Sequence, residues 1–179
     1  GWSEPVVLDT GPESADPNCP TGLVVDGSGN AMAVWAGPNL SGTRFSIRPA
    51  DGTWTTAETH SLQGLEPRIV VNDAGLGWLA YRISDTAAVP TRTLWLVPFS
   101  LAEGTFGSPV DLGLLADPQR NPGDISPLYE VGIDASGTAL VVWAVAGRQI
   151  VAQHVSRSPA IGRIGLPHVL GSDRGADPT

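Results

Sequence analysis

Short apolar runs that each follow a tight polar opening recur three times along the chain. The three stretches are DGSGNAMAVWA at residues 26–36, NDAGLGWLAYR at 72–82 and DASGTALVVWA at 134–144. The copies align on a glycine: Gly29, Gly75 and Gly137. Asp and Gly are typical of a tight turn, because Asp can hydrogen-bond the local backbone and Gly can take positive φ. Each copy therefore predicts a turn followed by a strand.

A second marker recurs independently of the first. PADGTW ends at Trp54, LAEGTF at Phe106 and PAIGRI at Ile164, and Pro or Ala follows three positions after each ending. The N-terminal WSEP repeats this ending, with Trp2 in the aromatic place. Both markers keep the same order at a spacing of 46 to 62 residues. This spacing predicts a repeat architecture of the propeller type.

Each repeat resolves into four strand-like pieces. In the first repeat we expect strands at Leu23–Asp26, Ala31–Ala36 and Phe45–Arg48, and a fourth that starts at Trp54. In AMAVWA and ALVVWA the residues pointing both ways are apolar, which predicts strands covered on both faces. A blade packed between neighbouring blades meets that requirement.

Composition agrees with many short strands joined by turns. The chain has 179 residues, with 22 Gly and 16 Pro, and no stretch keeps a helical period. We therefore expect an all-β protein with one repeat domain over residues 1–179. It would hold an extra outer strand at 1–10 and three four-stranded antiparallel blades, at about 20–62, 65–112 and 125–170.

Charge and reactive side chains argue against several classes of partner. The net charge is −8 and the chain has no Lys, so we expect neither nucleic acid nor an anionic membrane surface as a partner. No apolar run approaches the roughly 20 residues of a membrane-spanning helix. Cys19 has no Cys or His cluster near it, and His60, His154 and His168 lack ligand-like spacing. We expect no metal and no cofactor.

The pattern VD-x-SGNA-x-AVW followed by G-x-W-x-x-P resembles the blade repeats of bacterial β-propellers, the class that includes sialidase-like and lectin-like propellers. The resemblance covers nearly the whole chain. True sialidase Asp-boxes are absent, because the glycine follows Asp26 by three residues rather than two. Three blades are also fewer than the four to eight that close a propeller. We expect either a homo-oligomer that completes the ring or the remainder of a longer propeller.

Positions at which the repeats differ are candidates for a binding site, since a scaffold should repeat itself. The second repeat has Arg82 where the others have Ala, Arg68 where we align Thr21 and Leu128, and Trp95 where we align Thr43 and Gln153. An aromatic platform beside guanidinium donors suits a sugar or an acidic ligand. The alternative is that Trp95 packs against a neighbouring blade and the arginines are solvated.

These observations predict a non-catalytic binding or adhesion module that recognises a glycan or a protein. We expect a bacterial protein exported to the cell surface, the periplasm or the medium, and we assign no catalytic residue. One alternative is part of a sialidase-like glycoside hydrolase whose catalytic blades lie elsewhere. Another is a structural scaffold for assembly.

Overall fold

A computed structural model describes residues 4–9, 21–37, 42–59, 64–84, 92–115, 129–145, 149–157 and 168–172. Within these ranges the chain is all-β, without a helix. Its strands are β1 (Gly22–Val25), β2 (Ala31–Ala36), β3 (Thr43–Arg48), β4 (Glu58–Thr59), β5 (Leu65–Val71), β6 (Leu76–Ser84), β7 (Arg92–Ser100), β8 (Thr105–Phe106), β9 (Val110–Leu114), β10 (Tyr129–Ile133), β11 (Ala139–Val145), β12 (Gln149–Val155) and β13 (His168–Ser172).

The strands form three antiparallel sheets, one for each sequence repeat. The first sheet has the order β1-β2-β3-β4 and the third has the order β10-β11-β12-β13. The second sheet has the order β5-β6-β7-β8, and β9 pairs with β7 as well. The prediction of an all-β chain is confirmed, but the second sheet has five strands rather than the predicted four, because the chain pairs with β7 twice, as β8 and as β9.

The turn between the first two strands has the same structure in all three sheets. The Asp26 carboxylate accepts hydrogen bonds from the amides of Ser28 and Asn30, both at 2.9 Å. In the second and third sheets Asn72 and Asp134 accept equivalent bonds from amides at matching positions. The turn glycines take positive φ: 90° at Gly29, 76° at Gly75 and 86° at Gly137. The turn prediction holds, with Asn72 in the place of the capping Asp in the second copy.

The fourth strand of the first sheet begins later than predicted. It was expected to start at Trp54 and begins at Glu58. At Thr55 the backbone amide donates to the Ile47 carbonyl at 2.8 Å, while the Thr55 hydroxyl accepts from the Ile47 amide at 3.0 Å. A side chain therefore replaces one rung of the ladder, and regular pairing resumes only after it. Residues 4–9, expected as an outer strand, belong to no strand either.

The second sheet is covered on both faces, because alternate side chains of its strands enter two different cores. Leu79 and Tyr81 of β6 lie in one core with residues of the first sheet. Trp78 and Ala80 of the same strand lie in another core with residues of the third sheet. β6 thus has the cover on both faces that the sequence predicts for the strands AMAVWA and ALVVWA.

The same prediction is wrong for the third sheet. In β11 the side chains of Val141 and Trp143 are buried against the second sheet, but Leu140 between them is 42% exposed. Ile150 of β12 is 41% exposed on the same side. The reason is positional: among the described residues no fourth sheet packs against this face.

Two Leu→Ala substitutions test whether the second sheet is covered on both sides. Leu79 and Leu96 face opposite cores and are fully buried. We expect each substitution to lower the free energy of unfolding by about 2–5 kcal/mol, measured by urea denaturation. Leu114→Ala is the control, because Leu114 is 60% exposed and should cost roughly 1 kcal/mol or less. A cost at Leu79 or Leu96 as small as that at Leu114 would mean an uncovered face.

Candidate functional site

Trp95, the aromatic residue of the predicted ligand site, packs between sheets. It lies opposite Tyr81 in the pairing of β6 with β7, and its ring contacts the core shared with the first sheet. Its indole nitrogen donates a hydrogen bond to the Thr93 hydroxyl at 2.9 Å. The ring is thus partly buried, which matches the packing alternative given above.

The two predicted arginines lie on the other face of the same sheet. Arg82 is paired with Leu94 and Arg68 with Ala80, and both partners belong to the core shared with the third sheet. Residues directly opposite each other in a ladder share a face. The structure therefore brings Arg68 and Arg82 to one face but separates them from Trp95. A ligand bound by all three stays a prediction that this geometry does not favour.

Arg82 is engaged by a carboxylate. Its Nε donates to Glu66 Oε2 at 2.8 Å and its terminal nitrogen donates to Oε1 at 3.0 Å, which makes a bidentate pair. The side chains of Arg82 and Glu66 are only 14% and 24% exposed. Glu66 itself has φ of 53°, in the left-handed region, within an irregularity between Leu65 and Arg68. This strained backbone turns the carboxylate towards Arg82.

The same bulge connects two sheets. The Tyr129 hydroxyl, at the start of β10, donates a hydrogen bond to the Glu66 carbonyl oxygen. Burial is the main cause that raises the pKa of Tyr129, and the Glu66 charge adds to it, while Arg68 and Arg82 act in the opposite direction. The phenol therefore stays protonated and acts as a donor. This cluster joins the first strands of the second and third sheets.

The observed register corrects two of the alignments behind the site prediction. Because Tyr81 pairs with Trp95, the equivalents of Trp95 are Arg44 and Val151, which pair with the corresponding aromatic residues of β2 and β11. The equivalents of Arg68 are likewise Gly22 and Glu130 rather than Thr21 and Leu128. Counting through loops of unequal length, and across a bulge, displaced both alignments by one or two residues.

A cleft that sequence reasoning missed lies between residues 4–9 and the first sheet. We call it the N-terminal cleft; it has a volume of about 640 Å³. It is lined by Glu4, Pro5, Val6, Leu8, Asp9, Thr21, Gly22, Leu23, Ala33, Val34, Trp35 and Trp54. The WSEP stretch was the signal for it, since its described residues, Glu4 and Pro5, line the cleft and belong to no strand.

Asp9 anchors the segment that forms one wall of the cleft. Its Oδ2 accepts a hydrogen bond from the Trp35 indole nitrogen at 3.2 Å and pairs with an Arg44 nitrogen at 2.8 Å. The Trp35 ring is only 6% exposed as a result. The rest of the cleft is mostly apolar and open, with Val6 and Leu23 each 65% exposed. Such a surface can take up apolar side chains of a partner.

Among the described residues no group of three His, Cys, Asp or Glu side chains could hold a metal ion. No helix among them is long and apolar enough to cross a membrane. Cys19 and His60 lie outside the described residues. His154 is exposed on β12.

No protein-family model matches this chain, and no curated protein is significantly similar to it in sequence.

The two buried tyrosines predict a loss of stability at alkaline pH. Burial raises the pKa of Tyr81 and of Tyr129 above the ordinary value near 10. Above about pH 10 the unfolded chain releases these protons while the folded chain keeps them, so the free energy of unfolding falls as pH rises. Each tyrosine contributes a slope of at most about 1.4 kcal/mol per pH unit. Urea denaturation between about pH 8 and 11.5 measures this slope.

The double variant Tyr81→Phe/Tyr129→Phe is the matched comparison. The chain has two tyrosines and no lysine, so few other groups titrate in this range. We expect the double variant to show a nearly flat profile there, and Tyr129→Phe alone to lose about half of the slope. An unchanged slope in the double variant would contradict the assignment of the effect to these phenols.

Proposed function

We propose that this chain forms three blades of a β-propeller-type array that acts as a non-catalytic binding module, and that its partner is a protein docked at the N-terminal cleft. Contacts between successive sheets support the architecture, and the exposed apolar side chains at the cleft support the site.

Contacts that repeat between successive sheets support the propeller-type architecture. The Gly27 amide donates to the Asp73 carbonyl at 3.1 Å, and the Asn72 side chain donates to the Ala135 carbonyl at 3.1 Å. Neighbouring hairpin turns thus lie side by side at one end of the sheets. The first strands β1, β5 and β10 also contact one another in that order. Similar relations between successive sheets are what radial blades would show.

The uncovered apolar wall of the N-terminal cleft carries the choice of a protein partner. Leu23 of β1 and Val6 across the cleft are each 65% exposed, and the nearby Val25 and Val7, outside the cleft lining, are 56% and 72% exposed. Contiguous exposed apolar surface of this kind marks an interaction site in a soluble protein. Protein interfaces bury such side chains at their centre. The predicted sugar platform, Trp95, is packed between sheets instead.

A glycan is the second candidate because of one residue. Trp54 is half-exposed and lines the cleft together with Glu4. An aromatic face and a carboxylate are groups that bind sugars by stacking and hydrogen bonding. Of the sequence alternatives, a glycoside hydrolase depends on blades outside this chain and gains no support from the cleft. A scaffold for assembly is compatible with the same exposed faces.

Parallel screens of a phage-displayed random peptide library and a glycan array test the proposed function. The protein is immobilised at low density, so that it does not occupy its own cleft. We expect apolar peptides rich in β-branched residues to bind the wild type, and their binding to fall at least tenfold in Leu23→Glu. Ser108→Glu is the control, because Ser108 is exposed in the loop between β8 and β9, away from the cleft.

Each result of the two screens has a defined meaning. Glycans that bind the wild type but not Trp54→Ala, together with a failure to select peptides, would replace the protein partner with the second candidate. Peptides that bind Leu23→Glu as well as the wild type would remove the cleft as the site. A failure of both screens would overturn the binding function.

A further inference from the structure

The three sheets stack in chain order, so that one face of the first sheet and one face of the third lie on the outside. These two outer faces correspond in sequence position to the two faces that pack against each other at each contact inside the stack. We call the forward face of a sheet the side that carries the third residue after the turn glycine: Met32, Trp78 and Leu140. We call the rear face the opposite side, which carries the fourth residue: Ala33, Leu79 and Val141. Inside the stack, each contact joins a forward face to the rear face of the next sheet.

The forward face of the third sheet lacks the cover that the other two forward faces have. Met32 and Trp78 are each 1% exposed, because the next sheet packs on them. The equivalent Leu140 is 42% exposed, and Ile150, further along the same face, is 41% exposed; His154, which lies opposite Leu140, is exposed too. This face is therefore apolar in character and uncovered among the described residues.

The rear face of the first sheet is uncovered at the position where a preceding sheet buries the rear faces of the other two sheets. Leu79 and Val141 are fully buried by the preceding sheet, but the equivalent Ala33 is only half-buried. Opposite Ala33 lies Leu23, which is 65% exposed. Its equivalents in the other sheets, Ile69 and Val131, pack into the two cores. The exposed part of this face is the sheet wall of the N-terminal cleft.

The half of this rear face that β3 forms, which we call its outer half, differs from the outer half of the second sheet's rear face. On β3 it presents Arg44, Ser46 and Arg48, where β7 presents Trp95, Val97 and Phe99. Asp9 already pairs with Arg44 and covers this part. An incoming sheet would therefore meet the inner half, formed by β1 and β2.

We infer that the forward face of the third sheet of one copy packs on the rear face of the first sheet of a second copy. The inference rests on the proposed function, because it names a second copy of this chain as the protein that fills the N-terminal cleft. The contact is head-to-tail, and such contacts form closed rings when the rotation between copies allows it. Two copies supply six sheets, within the four to eight that close a propeller. Each copy then covers both exposed faces of the other.

Sedimentation velocity of wild type and two charge variants tests this contact. Leu140→Glu spoils the forward face and Leu23→Glu the rear face, and both positions are exposed, so the fold of each copy should persist. We expect a concentration-dependent dimer of the wild type and at least a tenfold weaker dimer for each variant alone. Ser108→Glu is the matched control and should dimerise like the wild type. Circular dichroism checks the fold, with Ile150→Glu and Val25→Glu as replacements if either first variant unfolds.

An equimolar mixture of the two variants decides the orientation. Leu23→Glu keeps an intact forward face and Leu140→Glu keeps an intact rear face, so the mixture should form a heterodimer through one contact. A mixture that stays monomeric overturns the head-to-tail arrangement. If Leu23→Glu abolished the dimer and Leu140→Glu left it intact, the contact would join two rear faces, and the head-to-tail arrangement would also be overturned. If the wild type is monomeric at all concentrations and peptides still bind the cleft, the dimer contact is overturned and the proposed binding function is supported.

Discussion

The constraint on which this structure depends is that β5, β6 and β7 of the second sheet carry apolar side chains on both faces. Leu79 and Trp78 are neighbours in sequence, yet they enter different cores. A sheet of this kind needs a sheet on either side, because apolar surface left in water costs roughly 25 cal/mol per Å². The first and third sheets have similar strands, but among the described residues each has a single neighbouring sheet. Their exposed faces, at Leu23 and Leu140, follow from that shortage.

The turns have the same structure in all three sheets, but the first strand of the second sheet, β5, has an irregularity that β1 and β10 lack. Among the described residues Glu66 is the non-glycine residue with a left-handed backbone. Its strain, of order 1–3 kcal/mol, persists because Arg82 holds the carboxylate and Tyr129 holds the carbonyl. The departure of the second repeat from the other two therefore marks a joint between sheets. A difference between repeats indicated a special position, but it did not indicate an open site.

How far the site could be predicted depended on register. The strands and turns were predictable, since alternation and turn chemistry act over a few residues. The face taken by Trp95 was not, because it depends on pairing across β6 and β7, and the face of Arg68 depends on a bulge. A shift of one residue in a strand moves a side chain to the other face. Of the three predicted site residues only Arg82 departs from a residue that the other two repeats share, and pairing divided the three between two faces.

The sequence by itself determined the all-β class, the three repeats and the Asp- or Asn-capped turns that begin each one. These features are local, and the residues that cause them lie within a few positions of one another. The tertiary structure decided which faces are covered, that residues 4–9 stand over the first sheet, and that Asp9 closes on Trp35 and Arg44. Exposure of a side chain is a property of its neighbours in space. For Leu140 and for Leu23 those neighbours would have to come from another sheet, which no pattern within their own strands can specify.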